Sequence, residues 1–193
     1  LISNQRPNSS IEFKHNSKSK KKTLNVKNGI SDSWKYSRKK LKIDFNLREK
    51  QLLKLLDKHR GKYGEYDCIV PGSGGKDSCY ASHILKFKYG MNPLTVTWPP
   101  ILYTDYGFKN YKNWISHGKH SNIKAKRSEN TMTTLTRLSI LNLMHPFQTF
   151  MLGQKIFAVK MASKYKIPLV FFGENEAEHG NAIADNYLSL IHI

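Results

Sequence analysis

Tyr66-Asp67-Cys68-Ile69-Val70-Pro71-Gly72-Ser73-Gly74-Gly75-Lys76-Asp77-Ser78-Cys79-Tyr80-Ala81-Ser82 is the stretch from which the fold is read. Asp67 to Val70 form a short buried strand, broken by Pro71-Gly72. From Lys76 the apolar spacing turns helical, with Tyr80, His83, Ile84 and Phe87 on one side and Gly90 as the stop. Between strand and helix, Ser73 to Ser78 carries two adjacent glycines that bring backbone amides close to a ligand. The helix start adds further amides and a positive dipole end. Strand, glycine turn and helix together predict a phosphate cradle. Spacing excludes two familiar versions of it. A Walker A loop needs glycine five positions before Gly75, where Val70 stands, and Ser or Thr where Asp77 stands. A dinucleotide fingerprint begun at Gly72 and Gly74 needs glycine at position 77.

Outward from the loop, strands and helices alternate. Upstream, Asn46 is read as the cap of a helix with Glu49 three residues on, an apolar face of Leu52, Leu53, Leu55 and Leu56, and an end at Gly61. Downstream, Leu94 to Trp98 is a second strand stopped by Pro99-Pro100, and Thr104 caps a helix through Ile115 that ends near Gly118. Asn122-Ile123-Lys124 reads as a short third strand. Thr134 to Met144 and Phe150 to Tyr165 are helices, and Leu169 to Phe172 is an apolar strand followed by Gly173-Glu174-Asn175-Glu176. This alternation predicts an α/β fold with a parallel sheet and helices on both faces, ligands binding at the carboxyl ends of the strands. Near the N-terminus, Ile11-Glu12-Phe13 and Leu24-Asn25-Val26 suggest a small hairpin.

The chain has 193 residues and a formal charge of +18. Residues 1–62 hold 18 Lys and Arg against 5 Asp and Glu, whereas residues 63–193 hold 14 against 9. The excess sits in a basic extension, loosely ordered on composition, so a solvated tail is read there rather than RNA or DNA contact. No apolar run reaches a membrane span and no signal peptide opens the chain, so a cytoplasmic protein is expected. The two cysteines, Cys68 and Cys79, make no disulfide framework.

The loop Ser73-Gly74-Gly75-Lys76-Asp77-Ser78 resembles that of the N-type ATP pyrophosphatases, the PP-loop enzymes that cleave ATP between its α and β phosphates. Further stretches resemble one subgroup, the N-acetyl sugar amidotransferases of lipopolysaccharide O-antigen and related surface-sugar synthesis. They are Ile43-Asp44-Phe45, Leu94 to Trp98, Leu102-Tyr103-Thr104-Asp105, His145-Pro146-Phe147-Gln148, Gly153-Gln154-Lys155 and Gly173 to Glu178. The resemblance implies an adenine nucleotide alpha hydrolase-like three-layer sandwich over residues 43–187, preceded by the basic extension 1–42. It implies an enzyme using ATP, Mg²⁺ and ammonia to turn the acetamido group of a nucleotide-linked sugar into an acetamidino group. The amide oxygen is adenylated with release of pyrophosphate, and AMP leaves when ammonia attacks. Ammonia would come from a separate glutaminase subunit, since neither cysteine has the setting of a glutaminase nucleophile.

On this resemblance, Ser73 to Ser78 hold pyrophosphate, Lys76 neutralises its developing charge, and Asp77 takes Mg²⁺ or orders the loop. Thr97 and Trp98 are candidates for an adenosine wall, or else core of the second strand. Asp105 holds substrate or metal, or sits in a helix's first turn as carboxylates do. Glu174, Asn175 and Glu176 lie at the expected crevice with Gly173, or form an acidic solvent loop. Gln154 and Lys155 are further substrate candidates. Two departures limit the likeness. The subgroup carries paired Cys-x-x-Cys motifs of the zinc-holding kind, but here Ser31 and Trp34 occupy the second pair's positions and the first would precede Leu1, so no zinc site is expected. Leu188 to Ile193 back-translates to a sequencing adapter, so the natural chain is expected to continue past Tyr187. Two other readings stay open: a tRNA-modifying PP-loop enzyme (a thiolase or lysidine-type ligase), and a nucleotide-binding remnant without turnover.

Overall fold

A computed structural model describes residues 26–173. They divide into two units, the first ending at Leu52 and the second beginning at Leu53. In the first unit, β1 (Val26–Lys27) and β2 (Ile30–Ser31) pair antiparallel. Asn28 and Gly29 join them with φ of 54° and 71°, the pair of left-handed residues that a tight hairpin turn requires. The hairpin is thus centred on Asn28-Gly29, and the Ile11-Glu12-Phe13 arm expected from the sequence lies outside the described residues. Ser31 also caps α1 (Asp32–Lys40), its hydroxyl accepting from the Trp34 amide at 3.2 Å. Trp34 is half-exposed, with the Arg38 guanidinium 5.1 Å from its ring. The two residues standing where cysteines would stand therefore work as a helix cap and a cation–π partner.

The next helix, α2 (Phe45–His59), is capped by Asp44 rather than Asn46. The Asp44 carboxylate accepts from the Leu47 amide at 3.0 Å, the N3 contact of an aspartate N-cap. Leu56 is fully buried, but Leu53, assigned to the apolar face from its spacing, is exposed.

The second unit is a parallel α/β arrangement, as the alternation predicts. It runs β3 (Cys68–Pro71), α3 (Lys76–His83), β4 (Pro93–Thr97), α4 (Asp105–Gly118), β5 (Asn122–Lys124), α5 (Glu129–Leu143) and α6 (Gln148–Tyr165). The three strands pair parallel in the order β3-β4-β5, with Val70 opposite Thr95 and Thr95 opposite Asn122. Beyond the other edge of β3, the expected last strand is reduced to one parallel bridge between Val170 and Ile69. Ile69 donates to the Leu169 carbonyl at 2.9 Å and accepts from the Phe171 amide at 2.8 Å. The first strand therefore lies between the second and the last. That reversal of strand order is where open α/β sheets leave a crevice at their carboxyl edge.

Alternation along the strands sends side chains to two faces. Ile69, Leu94 and Val96 form a core with Ala158, Met161 and Ile167, so α6 covers that face. Each such side chain contributes about 1.5–3 kcal/mol through burial. Val70, Thr95 and Thr97, all fully buried, alternate to the other face, where α3 packs on β3 and α4 on α3. The inward side of α3 differs from the sequence expectation. Tyr80 and Phe87 are exposed, while Ser82 and Leu85 are buried. Ser82 and Leu85, three residues apart, share the inward face, and the helix widens into a π turn over Ile84–Lys88. Helix starts also shift: Ser128 caps α5 through the Thr131 amide at 3.3 Å, six residues before the predicted Thr134. Among the described residues no helix is long and apolar enough to cross a membrane.

Candidate functional site

β3 ends where the Gly72 amide donates to the Val96 carbonyl at 2.9 Å. The chain then leaves the sheet and turns through Ser73, Gly74 and Gly75 into α3. Gly74 has φ of +91°, and a Cβ there would meet the Tyr111 backbone at 2.6 Å. The turn is thus pressed against α4, and only glycine fits. Gly173 is the second close approach: a Cβ would lie 2.6 Å from the Ser78 amide nitrogen and 2.7 Å from the Asp77 carbonyl carbon. The end of the last sheet segment therefore abuts the first turn of α3. This brings together Gly74, Gly75, Asp77, Ser78 and Gly173 at the switch in strand order.

Gly75 is different. It is the N-cap of α3 with ordinary extended torsions, φ −72° and ψ 156°, and it offers no side-chain cap. A Cβ on it would meet nothing within 4 Å. No packing contact requires glycine here, and the open space beside it lies over the helix start, whose first-turn amides have no intrahelical acceptor. Gly75 is exposed, and the amides and dipole end at the helix start fit a phosphate group.

The charged residues of the loop are at its surface. Lys76 and Asp77 form an ion pair at 2.6 Å, their side chains 88% and 40% exposed. Ser78 donates to the Gly75 carbonyl at 3.0 Å and so closes the first turn of α3. Among the described residues no group of three His, Cys, Asp or Glu is arranged to hold a metal ion. Asp77 is the carboxylate of the loop and could offer an oxygen to a hard cation there.

The other candidates divide. Thr97 is fully buried and its hydroxyl accepts from the Asn122 side chain at 3.1 Å, so it belongs to the wall beneath the loop. Trp98 packs on α6: its ring lies tilted at 52° to that of Phe157, centroids 5.9 Å apart, and it leaves no room for a Cβ at Gly153. Asp105 is exposed in the first turn of α4, and Gln154 and Lys155 are exposed on α6. Glu174, Asn175 and Glu176 lie outside the described residues.

Sequence reasoning missed the support beneath the loop. The Tyr111 hydroxyl donates to Asn122 Oδ1 at 2.7 Å, and Asn122 donates to Thr95 at 3.0 Å and to Thr97 at 3.1 Å. Tyr111 thus backs Gly74 with its main chain and ties α4 to β4 and β5 with its side chain. Trp114 Nε1 donates to the buried Ser82 hydroxyl at 2.8 Å, locking α3 to α4. Two threonines on one face of an otherwise apolar strand were the available signal. Burial pushes the Cys68 thiol up to about 12, with Asp67 adding to the effect, and burial also raises Cys79. Neither thiol is poised as a thiolate.

No family model matches this chain. Over 53 residues it is 40% identical to an uncharacterized protein of Methanocaldococcus jannaschii. That stretch is 28% of this chain and 19% of the archaeal protein, so the chain matches about a fifth of that protein's length.

Proposed function

We propose that the chain is the PP-loop domain of an ATP-dependent amidotransferase that acts on the acetamido group of a nucleotide-linked sugar. The observation that carries this reading is the loop itself. Gly74 and Gly173 are demanded by close packing, but Gly75 is demanded by nothing in the chain and faces open space at a helix N-terminus. Gly75 is exposed to solvent, and the free amides and dipole end at the start of α3 suit phosphate. The likeness of Ser73-Gly74-Gly75-Lys76-Asp77-Ser78 to the loop of the N-type ATP pyrophosphatases implies that it holds the leaving pyrophosphate.

ATP supplies the activation of the amide oxygen, and the chain's residues bind and orient it. The loop amides cradle the β and γ phosphates. Lys76, now paired with Asp77 at the surface, would neutralise charge on the phosphate oxygens, and Asp77 would be the loop carboxylate able to hold Mg²⁺, which would supply charge neutralisation there. Ser78 keeps the first turn of α3 closed while the phosphates bind. Ammonia then attacks the activated carbon and AMP leaves. Burial raises both thiols, so neither Cys68 nor Cys79 is read as a glutaminase nucleophile, and the ammonia is taken to be released outside this domain.

The test is calorimetric titration of Mg-ATP into the wild-type chain and Lys76→Ala. Affinity should fall about tenfold or more on loss of one charge-assisted contact. Equal affinity in the two proteins would remove the loop from the reading.

A further inference from the structure

The corner where α1 turns into α2 gathers large apolar side chains that nothing covers. Leu41 and Phe45 are 73% and 69% exposed, Leu47 52%, Trp34 49% and Ile43 39%. Five such residues within one short segment exceed the single exposed apolar side chains that are normal on a protein surface. None is drawn into a core, because among the described residues every buried apolar side chain lies at Leu56 or beyond. Leu41, the C-cap of α1, keeps helical torsions. Trp34, Arg38 and Leu41 therefore stand at i, i+4 and i+7 on one face of that helix. Ile43, Phe45 and Leu47 follow around the corner, where Asp44 holds the Leu47 amide as the cap of α2.

Cations surround these side chains. Residues 33–50 hold seven Lys and Arg against two Asp and Glu. Arg38, Lys39, Lys42, Arg48 and Lys50 are exposed. The Arg38 guanidinium lies 5.1 Å from the Trp34 ring, which sets an aromatic ring and a charged head side by side at the surface. Such a pair suits a boundary that is apolar on one side and wet on the other. Of the two carboxylates, Asp44 is engaged by the Leu47 amide and Glu49 is half-buried. The face is thus apolar at its centre and cationic around it.

A nucleic acid takes phosphate contacts from lysines and stacks its bases on flat rings, which leaves Leu41, Ile43 and Leu47 without a role. A protein interface is depleted of lysine at its apolar centre, whereas Lys42 stands here between Leu41 and Ile43. An anionic lipid surface uses both kinds of group together, its headgroups pairing with the cations while its acyl region receives the apolar side chains. We infer that the α1–α2 corner is a docking surface for an anionic membrane. Leu41 and Phe45 enter the acyl boundary, Trp34 sits at headgroup level, and Arg38, Lys39 and Lys42 meet lipid phosphates. Docking of this kind lays the chain on a bilayer without crossing it.

The experiment is flotation of the whole chain with vesicles of phosphatidylcholine, alone or mixed with phosphatidylglycerol. The chain should float with the mixed vesicles only, and added salt should weaken that binding. Lys39→Gln with Lys42→Gln should weaken it about thirtyfold, at roughly fivefold for each cation. The run Lys18-Ser19-Lys20-Lys21-Lys22 also attracts anionic lipid, so the apolar variants and the tryptophan carry the test. Leu41→Ser with Phe45→Ser should weaken binding at least about tenfold, with melting temperature unchanged because both side chains are exposed. Lipid brominated on its acyl chains should quench tryptophan fluorescence in wild type but not in Trp34→Phe. Equal binding to both kinds of vesicle, full binding by the Leu41→Ser, Phe45→Ser protein, or unquenched Trp34 would overturn the inference. So would a single-stranded RNA that binds more tightly than the mixed vesicles and loses affinity in Trp34→Ala, or a dimer that Leu41→Ser with Phe45→Ser makes monomeric.

Discussion

Alanine at position 75 separates what the loop does for the fold from what it does for a ligand. Gly75 has φ −72° and ψ 156°, torsions any residue adopts, and its Cβ would meet nothing within 4 Å. Gly75→Ala should therefore leave stability unchanged or raise it by about 0.4–1 kcal/mol, since alanine restricts the unfolded chain. The added methyl occupies the volume assigned to phosphate, and Mg-ATP affinity should drop at least about tenfold, or 1.4 kcal/mol. Gly74→Ala is the contrasting change. At φ +91° an L-residue is strained by about 1–2 kcal/mol. Its Cβ would also press on the Tyr111 main chain at 2.6 Å, and that backbone cannot rotate away. Strain and overpacking together put the loss at about 3 kcal/mol or more, or roughly 10 °C in melting temperature for a domain of this size. Thermal melts by circular dichroism and ATP titrations on both proteins read the contrast. A destabilised Gly75→Ala, or one that binds ATP like wild type, would refute the reasoning.

Three further outcomes follow from the same contacts. His120 is buried and neutral, its pKa lowered from 6.5 to about 4 by burial first and then by Lys86 and His83. The unfolded chain takes up a proton below pH 6.5 that the folded chain refuses, so stability should fall as pH drops from 6.5 toward 4, by at most about 3 kcal/mol; His120→Gln should flatten that part of a urea-melt pH profile. Ser82→Ala strands the buried Trp114 indole N–H, costing about 1–3 kcal/mol, and an unchanged denaturation midpoint would show that the bond contributes nothing. Amidine formation should proceed with ammonium salts but not with glutamine unless a glutaminase is added. Mass spectrometry of the sugar product checks it, and glutamine use by the purified chain alone would count against a separate subunit.

The order of the second unit's elements is legible in the sequence because β3 and β4 are apolar runs that alternate with helical spacing, and some of the helices carry their own cap. Thr104 illustrates this, accepting from the Gly107 amide at 3.1 Å as its position suggests. The misses arise where two local signals compete. Asp44 and Asn46 are both good caps, and only the chain's path into α2 decides for Asp44. Tyr80 and Phe87 have helical spacing, but the side of the helix that packs inward is that of Ser82 and Leu85, which spacing alone does not single out. At the site, the glycines and the helix start could be read directly. The Tyr111–Asn122–Thr97 network could not, because nothing local marks three polar residues from three elements as partners. Nothing in the sequence separates Gly74 from Gly75, which differ in backbone conformation, φ +91° against −72°, and in what surrounds them.

The most direct measurement is the nucleotide product. ATP labelled at the α phosphate is incubated with the chain, Mg²⁺, ammonium and a panel of nucleotide-linked acetamido sugars, and the products are separated by chromatography. The account predicts labelled AMP, with pyrophosphate released in equal amount and only when an acceptor sugar is present. Labelled ADP with orthophosphate, or no turnover with any sugar of the panel, would contradict it.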